Sequence, residues 1–337
     1  MHESHISKRL TPYYASVEEE YHLIRNSCGW MDLSHLSKLQ ITGGDRKDWL
    51  QGQITNDVQE LTPGRSLRAC ILTPTGQILS EVALWELSDS TILLFPEEAH
   101  EKILDRLNRM IILEDVKIND LTSQYSLFSV QGPTSARVLE ERISLPHSDA
   151  SSVEFEGKNL IVLRSDRTGS GGWDLLFDHR DTEEVRKLLE DIPPIGEDAW
   201  NIARLESGFP LYGIDYDEKT LPAELGPHFL SSHVSFTKGC YIGQEVVMRI
   251  YARGHTNRTW MGLIAQIAFP PGSSVSHSEQ KQIGKVTSSV VSPELGPIGA
   301  AYLRQPFAKP NELVIIHAPG GDVEATVQNM PLRKIQF

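Results

Sequence analysis

One cysteine in this chain lies in a setting that suits a reactive thiol. Cys240 occurs in the string KGCYIGQE, two residues after Lys238 and between two glycines. A thiol becomes nucleophilic or metal-seeking when a nearby cation or a helix N-terminus stabilises its thiolate. Residues 244–253 have helical apolar spacing, so they predict a helix that begins just after the cysteine. A small buried hydrophobe at a tight turn is the alternative, although the glycines favour a sharp turn or close approach to a ligand.

A carboxylate on an apolar helix face is the second chemical signal. Residues 197–208 predict a helix whose apolar stripe includes Glu206. Because an unpaired buried charge is costly, Glu206 must meet a cation, backbone donors or a ligand that donates hydrogen bonds. Trp200 flanks the stripe, and a helical tryptophan is more often core than a cofactor platform. A carboxylate beside an aromatic plane nevertheless suits a flat heterocycle such as a pterin, with a structural ion pair as the alternative for Glu206.

Composition excludes several classes of function. The chain has 337 residues and a net charge of -13, which argues against a nucleic-acid backbone or an anionic membrane as the main partner. Three widely spaced cysteines without a CxxC pair predict no disulfide framework and no self-sufficient zinc or cluster site. Residues 1–10 lack the apolar core of a signal peptide, and no apolar run reaches the ~20 residues of a membrane span. We therefore expect a cytoplasmic protein.

The apolar patterning predicts an α+β fold with a separate β-rich C-terminal part. Two strand and helix cycles suggest related halves without a glycine-rich phosphate loop, which argues against a doubly wound nucleotide fold. The first cycle has strands at 39–42, 91–95 and 111–116 with helices at 45–54 and 99–110, and the second has strands at 127–130, 160–163 and 173–177 with helices at 136–143 and 182–189. We expect one region over residues 1–254, made of two intertwined α+β domains that divide near residues 120–150. Five strands then predict a β-barrel or sandwich over residues 255–337, at 260–267, 285–291, 299–303, 312–317 and 323–327.

Several motifs occur together in an order that is specific to one group of proteins. They are LQGQITNDV at residues 50–58, ILTPTGQIL at 71–79, SVQGP at 129–133, LESG at 205–208 and KGCYIGQE at 238–245. With these motifs the chain resembles the YgfZ-type proteins, folate-binding relatives of the glycine cleavage T-protein (aminomethyltransferase) that support iron-sulfur cluster assembly or repair. The resemblance spans residue 32 to near the C-terminus. It implies a three-domain cloverleaf around a central folate channel, with two α+β domains followed by a C-terminal β-barrel.

The resemblance also implies roles for individual residues. Glu206 matches the glutamate that holds the pterin edge, Trp200 matches a tryptophan that lines the folate site, and Leu36 matches an apolar residue that packs on the ligand. Cys240 matches the cysteine on which cluster maintenance depends. The implied cofactor is tetrahydrofolate or a derivative, and the implied partners are iron-sulfur client or assembly proteins.

Three departures from the T-protein branch bear on the chemistry. T-proteins carry an acidic pair after the glycine turn near Gly76, where this chain has Ser80 and Glu81. They carry an arginine shortly before the KGCYIGQE position, whereas this chain has none between Glu206 and Arg249. They also typically have aspartate in place of the motif cysteine. The nearest cations that could hold the folate tail are Lys238, Arg249, Arg253 and Arg258, for which solvated surface charge is the alternative.

We therefore expect a tetrahydrofolate-binding accessory factor for iron-sulfur proteins, in which folate and Cys240 cooperate near one channel. One cysteine cannot hold a whole cluster, but it could supply one ligand during transfer or act as a redox thiol. The alternative is a folate-dependent aminomethyl or one-carbon transferase, with Glu81 or Asp57 in place of the missing acid. A folate-binding scaffold without chemistry is the third possibility.

Overall fold

The computed structural model describes residues 11–333. It contains both helices and strands up to residue 253 and only strands after it. The helices are α1 (Val17–Asn26), α2 (Arg46–Gln53), α3 (His100–Arg109), α4 (Ser135–Glu140), α5 (Thr182–Leu188), α6 (Glu197–Glu206), α7 (Gly226–His233) and α8 (Gln244–Arg253). The strands are β1 (Gly29–Asp32), β2 (Ser37–Thr42), β3 (Ser66–Leu72), β4 (Ile78–Glu86), β5 (Ser90–Phe95), β6 (Lys117–Asp120), β7 (Tyr125–Gln131), β8 (Ala150–Phe155), β9 (Lys158–Arg164), β10 (Gly172–Asp178), β11 (Arg258–Ala265), β12 (Ser274–His277), β13 (Gln280–Ser292), β14 (Gly296–Arg304), β15 (Leu313–Ala318) and β16 (Gly321–Gln328).

The first sheet has the strand order β3-β4-β5-β2-β6, and its neighbouring strands are antiparallel. All six residues of β5 are buried, so this strand lies at the centre of a core rather than at a surface. Trp49 of α2 and Leu107 of α3 belong to the same core cluster. These two helices therefore cover one face of the sheet.

The second sheet has the order β1-β7-β10-β9-β8 and is also antiparallel. Strand β1 precedes every strand of the first sheet, yet it pairs with β7 in the register Trp30↔Val130. The N-terminal segment thus completes the later sheet. Helix α6 packs between these layers, where Ala199, Ile202 and Ala203 join a buried cluster with Leu94 and Leu127.

The C-terminal part is a closed barrel with the strand order β11-β14-β13-β12-β15-β16. The α+β fold with a C-terminal β-barrel is therefore confirmed. The sequence predicted five of these six strands and missed β12, whose four residues give too short an alternating pattern. Its side chains alternate weakly, with Val275 and Ser276 both buried.

One predicted strand is wrong. The apolar run at 111–116 forms no strand, and the fifth strand of the first sheet begins at Lys117 instead. The side chains of Ile112 and Leu113 are 78% and 94% exposed. An apolar run whose residues face solvent lacks the burial that stabilises a central strand.

No helix within residues 11–333 is long and apolar enough to cross a membrane. The expectation drawn from residues 1–10 lies outside the described residues.

Candidate functional site

A cavity of about 160 Å³ lies where α6 meets the first sheet and the segment that follows α6. Its wall combines apolar and aromatic side chains with a few charged ones. The lining residues are Leu33, His35, Leu36, Arg68, Glu81, Ala83, Leu94, Phe95, Pro96, Glu98, Ser165, Arg167, Trp200, Arg204, Phe209, Pro210, Leu211, Tyr212 and Tyr216. Small-molecule sites have this character: mostly apolar walls with a few convergent polar groups. We call it the first cavity.

The structure brings two of the residues singled out from the sequence together in this wall. Leu36 lies in the turn between β1 and β2, and Trp200 lies on α6. The indole Nε1 of Trp200 is buried and has no hydrogen-bond partner among residues 11–333. Because a buried donor without a partner is costly, this N–H is suited to a ligand that accepts a hydrogen bond.

A buried lysine fixes the turn that carries Leu36. Lys38 Nζ donates hydrogen bonds to the carbonyl oxygens of Ser34 and Leu36 at 2.8 and 2.6 Å. Burial lowers the pKa of this ammonium to about 8, while the charges of Asp32 and Asp120 oppose the shift. The turn is therefore held from inside the protein, which presents the Leu36 side chain to the cavity.

A second cavity of about 330 Å³ adjoins the first. Arg68, Glu81, Ala83, Ser165, Phe209 and Pro210 line both, and His228 and His233 line only the second. The shared residues form the boundary between the two spaces. Glu81 is the one carboxylate among these six shared residues.

Glu81 is ionised by its surroundings. Its Oε1 accepts hydrogen bonds from His233 Nε2 at 3.0 Å and from Arg68 Nη1 at 3.3 Å. Burial raises the pKa of this carboxyl, but the charge and hydrogen bond of His233, followed by the charges of Arg68 and Arg167, lower it to about 2. Glu81 therefore carries a negative charge at neutral pH and is balanced by the cations beside it.

Glu206 is placed differently from the expectation. It does not line either cavity, and its carboxylate is occupied within the protein. Arg25 Nη2 donates to Oε2 at 2.5 Å, Tyr21 OH lies 3.0 Å from Oε1, and Ser292 Oγ also donates to Oε1. The structural ion pair, which the sequence left open as the alternative, is the arrangement found.

Lys238 also lies away from the cavities. Its Nζ donates to the carbonyl oxygens of Gln51, Ile54 and Asn56, each at 2.8 Å. The sequence suggested this cation for a folate tail or the Cys240 thiolate. In the structure its donors bind the C-terminal end of α2 and the segment that follows it. Arg249 is likewise outside both linings and forms an exposed ion pair with Glu245 at 2.5 Å.

Asp57, the other candidate acid, lies outside both cavities too. Its Oδ1 accepts hydrogen bonds from Gln51 Nε2 at 2.9 Å and from the backbone N–H of Gln59 at 3.1 Å. These contacts cap a turn. Of the two acids considered in place of the missing one, Glu81 is the one that reaches a cavity.

Cys240 is exposed, whereas Cys28 and Cys70 are buried. It lines neither cavity, so the structure does not bring the thiol to the wall that holds Trp200. The expected tight turn is present at Gly243, which has φ +86° and directly precedes α8. A Cβ there would lie 2.6 Å from the carbonyl oxygen of Thr73, so the close approach requires glycine.

Sequence analysis missed the histidine and arginines around Glu81. Arg68 also donates to the carbonyl oxygen of Asp166 at 2.6 Å, and Arg167 forms a bidentate pair with Asp174. No short motif contains them with Glu81. The only available signal was Glu81 itself, a carboxylate in a strand with buried neighbours.

Comparison with protein families decides the identity of the fold. Residues 6–238 match the family described as the GCVT N-terminal domain, and residues 258–334 match the glycine cleavage T-protein C-terminal barrel domain. This chain belongs to the glycine cleavage T-protein family. The family resemblance drawn from the motifs is thereby confirmed at the level of the T-protein family.

Relatives of this T-protein family member are similar over about nine tenths of their length. An aminomethyltransferase of Chloroherpeton thalassium is 27% identical in an alignment that covers 94% of this chain and 91% of the relative. One of Staphylococcus epidermidis is 26% identical and covers 93% of this chain and 89% of its own length. The crystal structure of glycine cleavage system aminomethyltransferase T from Bartonella henselae has a TM-score of 0.84 at 21% identity, over 97% of this chain and 92% of that chain. This structural likeness shows a shared fold.

Proposed function

We propose that this T-protein family member binds tetrahydrofolate or a derivative in the first cavity and acts in folate-dependent one-carbon or aminomethyl transfer. The observation that carries the proposal is that Trp200 and Glu81 line the same cavity. Trp200 offers an aromatic plane and a buried N–H without a partner, and Glu81 offers an ionised acceptor. A flat heterocycle with both acceptor and donor edges fits such a wall.

The remaining wall suits the rest of such a ligand. Leu36, Phe95 and Phe209 supply apolar contact area, and Arg68 and Arg167 place positive charge at the same wall. Arg68 stacks over the Phe209 ring at 5.0 Å, which keeps the ring in place. These side chains would bind and orient the ligand, and the apolar walls would exclude water from it.

Family membership and the named relatives favour the transferase over the accessory factor. A bound reduced folate would supply the amine nitrogen that accepts the one-carbon unit. Glu81 would hold positive charge that develops on the transferred group, because it is ionised and lies at the boundary of both cavities. Its low pKa makes it a poor proton donor, so its contribution would be electrostatic.

The experiment is an assay of folate-dependent ammonia release from an aminomethyl-loaded carrier protein. We expect turnover by the native chain and a loss of about 100-fold in kcat for Glu81→Gln. Asp57→Asn is the matched control, because Asp57 was the other candidate acid and lies outside both cavities. Absence of ammonia release by a chain that binds tetrahydrofolate would contradict the transferase and leave the binding proposal standing.

A second candidate function is the YgfZ-type accessory role in iron-sulfur cluster assembly or repair. The observation that favours it is the exposed Cys240, which lies just before the turn at Gly243 that leads into α8. An exposed thiol can reach a client protein without passing through the folate cavity. Cells that lack the protein should regain cluster-enzyme activity with the native chain and lose that rescue with Cys240→Ala. Full rescue by Cys240→Ala would remove the thiol from this role.

A further inference from the structure

His233 is the last residue of α7 and is enclosed by other groups. Its side chain is 5% exposed and its ring stacks on Phe229, with centroids 3.9 Å apart and planes 6° apart. The carbonyl oxygen of His233 also accepts a hydrogen bond from Thr55 Oγ1 at 2.6 Å. Backbone and ring are therefore both fixed, so the direction of each ring nitrogen is determined by the fold.

Both ring nitrogens face hydrogen-bond acceptors. Nε2 lies 3.0 Å from Glu81 Oε1, which is a carboxylate oxygen and can only accept. Nδ1 lies 2.9 Å from the carbonyl oxygen of Phe229, which also can only accept. Ser232 Oγ also lies 2.8 Å from Nδ1. Because the hydroxyl can donate its one proton to the backbone carbonyl of Phe229 or His228, its oxygen can accept a hydrogen bond from Nδ1. A neutral imidazole has one N–H and leaves one of these contacts unsatisfied, whereas an imidazolium satisfies both.

We propose that His233 is an imidazolium and is the positioning residue that fixes the Glu81 carboxylate at the boundary of the two cavities. Only the identity of the ligand rests on the proposed function, since the contacts of His233 exist within the protein. With its Nε2–H donated, the ring holds Oε1 on the side of the second cavity. The other carboxylate oxygen is then free to face a ligand in the first cavity.

Several other charged or titratable groups surround this pair. Glu81 is also faced by Arg68 and Cys70 of β3, Arg167 of the segment between β9 and β10, and Tyr216, and His233 is also faced by His228 of its own helix. Burial raises the pKa of the Cys70 thiol and of the Tyr216 phenol, so both stay neutral at physiological pH. Burial lowers the pKa of His228, with the charges of His233 and Arg68 acting in the same direction. His233 is thus the group in this cluster that donates to Glu81 from the side of the second cavity.

Removal of the His233 donor would change how Glu81 is held. Arg68 at 3.3 Å would then be the remaining hydrogen-bond partner of the carboxylate among residues 11–333. Ligand affinity in the first cavity should therefore fall when residue 233 cannot donate, and it should return when a different donor takes that place.

The first test needs no ligand. The native full chain, labelled with ¹⁵N-histidine, is studied by long-range ¹H–¹⁵N NMR at about pH 7, and the His233 signal is assigned by its absence from His233→Gln. Loss or displacement of the same signal in Glu81→Gln confirms the assignment if His233→Gln does not fold. We expect two protonated ring nitrogens. A ring with one bare nitrogen would overturn the proposal.

The second test measures tetrahydrofolate affinity at about pH 7 in the native chain, His233→Leu and His233→Gln. We expect the Kd of His233→Leu, which removes the donor to Glu81, to rise by about tenfold, and the Kd of His233→Gln, whose amide keeps a donor, to stay within about threefold of the native value. His228→Leu is the control, because His228 lies on the same helix and lines the same second cavity without a hydrogen bond to Glu81, so its Kd should match the native value. A native-like Kd in folded His233→Leu would overturn the positioning role. If the native chain bound no tetrahydrofolate, the proposed function would fail, and the NMR result would still decide the state of His233.

Discussion

The guanidinium of Arg25 lies 2.5 Å from the carboxylate of Glu206, and both side chains are buried. Tyr21 and Ser292 add hydrogen bonds to the same carboxylate. The cluster joins α1, α6 and the end of β13. Glu206 therefore ties α6, which carries Trp200, to the N-terminal helix and to the barrel.

Glu206→Gln should lower the free energy of unfolding by about 3–5 kcal/mol, because it leaves the buried Arg25 charge unpaired. Chemical denaturation followed by circular dichroism measures this loss. Glu245→Gln, which breaks an exposed pair with Arg249, should cost less than about 1 kcal/mol. The tetrahydrofolate Kd of folded Glu206→Gln should match the native value, and a large rise in Kd without a loss of stability would instead make Glu206 a ligand-binding group.

The contribution of Glu81 to the free energy of unfolding should depend on pH. Its folded-state pKa of about 2 lies below its ordinary value of 4.5, so its contribution is fully present above about pH 4.5 and is lost as the pH falls toward 2. The shift corresponds to about 3 kcal/mol. Denaturation of native chain and Glu81→Gln at several pH values should show a stability difference that is largest near neutral pH and shrinks in acid. A difference that stays constant down to about pH 2 would contradict an ionised, paired Glu81.

Part of this site follows from the sequence, and part depends on contacts that local patterns do not encode. Helical periodicity predicts α6 and therefore the position of Trp200, and the pattern for α8 agrees with the structure at both ends. The partners of the two carboxylates are distant along the chain: Arg25 lies 181 residues from Glu206, and His233 lies 152 residues from Glu81. Periodicity shows that Glu206 is on a buried face, but only the packing of α1 on α6 supplies its cation.

The partners of Lys238 are also distant along the chain, so the sequence did not reveal them. The position of Lys238 near Cys240 suggested a cation for a thiolate or an anionic ligand, because residues close in sequence are easily assumed to be close in space. The ammonium instead reaches the chain at Gln51, Ile54 and Asn56. Its three N–H donors are used by these three carbonyl oxygens, so the ammonium does not bind the thiol.

Lys238→Met should lower the free energy of unfolding by about 3 kcal/mol, because three carbonyl oxygens lose their donor. Arg249→Met is the matched control among the cations once considered for the folate tail, and it should change stability by less than about 1 kcal/mol. Thermal and urea denaturation measure both variants. Equal stability of Lys238→Met and native chain would show that the ammonium is dispensable for holding this segment.

The three cysteines should differ in accessibility. Cys240 is exposed, and burial protects Cys28 and Cys70 while raising the pKa of Cys70. Native protein treated with a thiol-alkylating reagent should gain one label by mass spectrometry, located at Cys240, and three labels after denaturation. Cys240→Ala should gain none in the native state. Rapid labelling of Cys28 or Cys70 in the folded chain would contradict this packing.

The most direct test of the central claim is calorimetric titration of tetrahydrofolate into the native chain, Trp200→Ala and Arg249→Ala. We expect one binding site in the native chain, an unchanged Kd in Arg249→Ala, and a Kd at least about tenfold higher in Trp200→Ala, because stacking on an aromatic ring contributes about 1–3 kcal/mol. Circular dichroism confirms that each variant is folded. Absence of binding by the native chain, or native affinity in Trp200→Ala, would contradict folate binding in the first cavity.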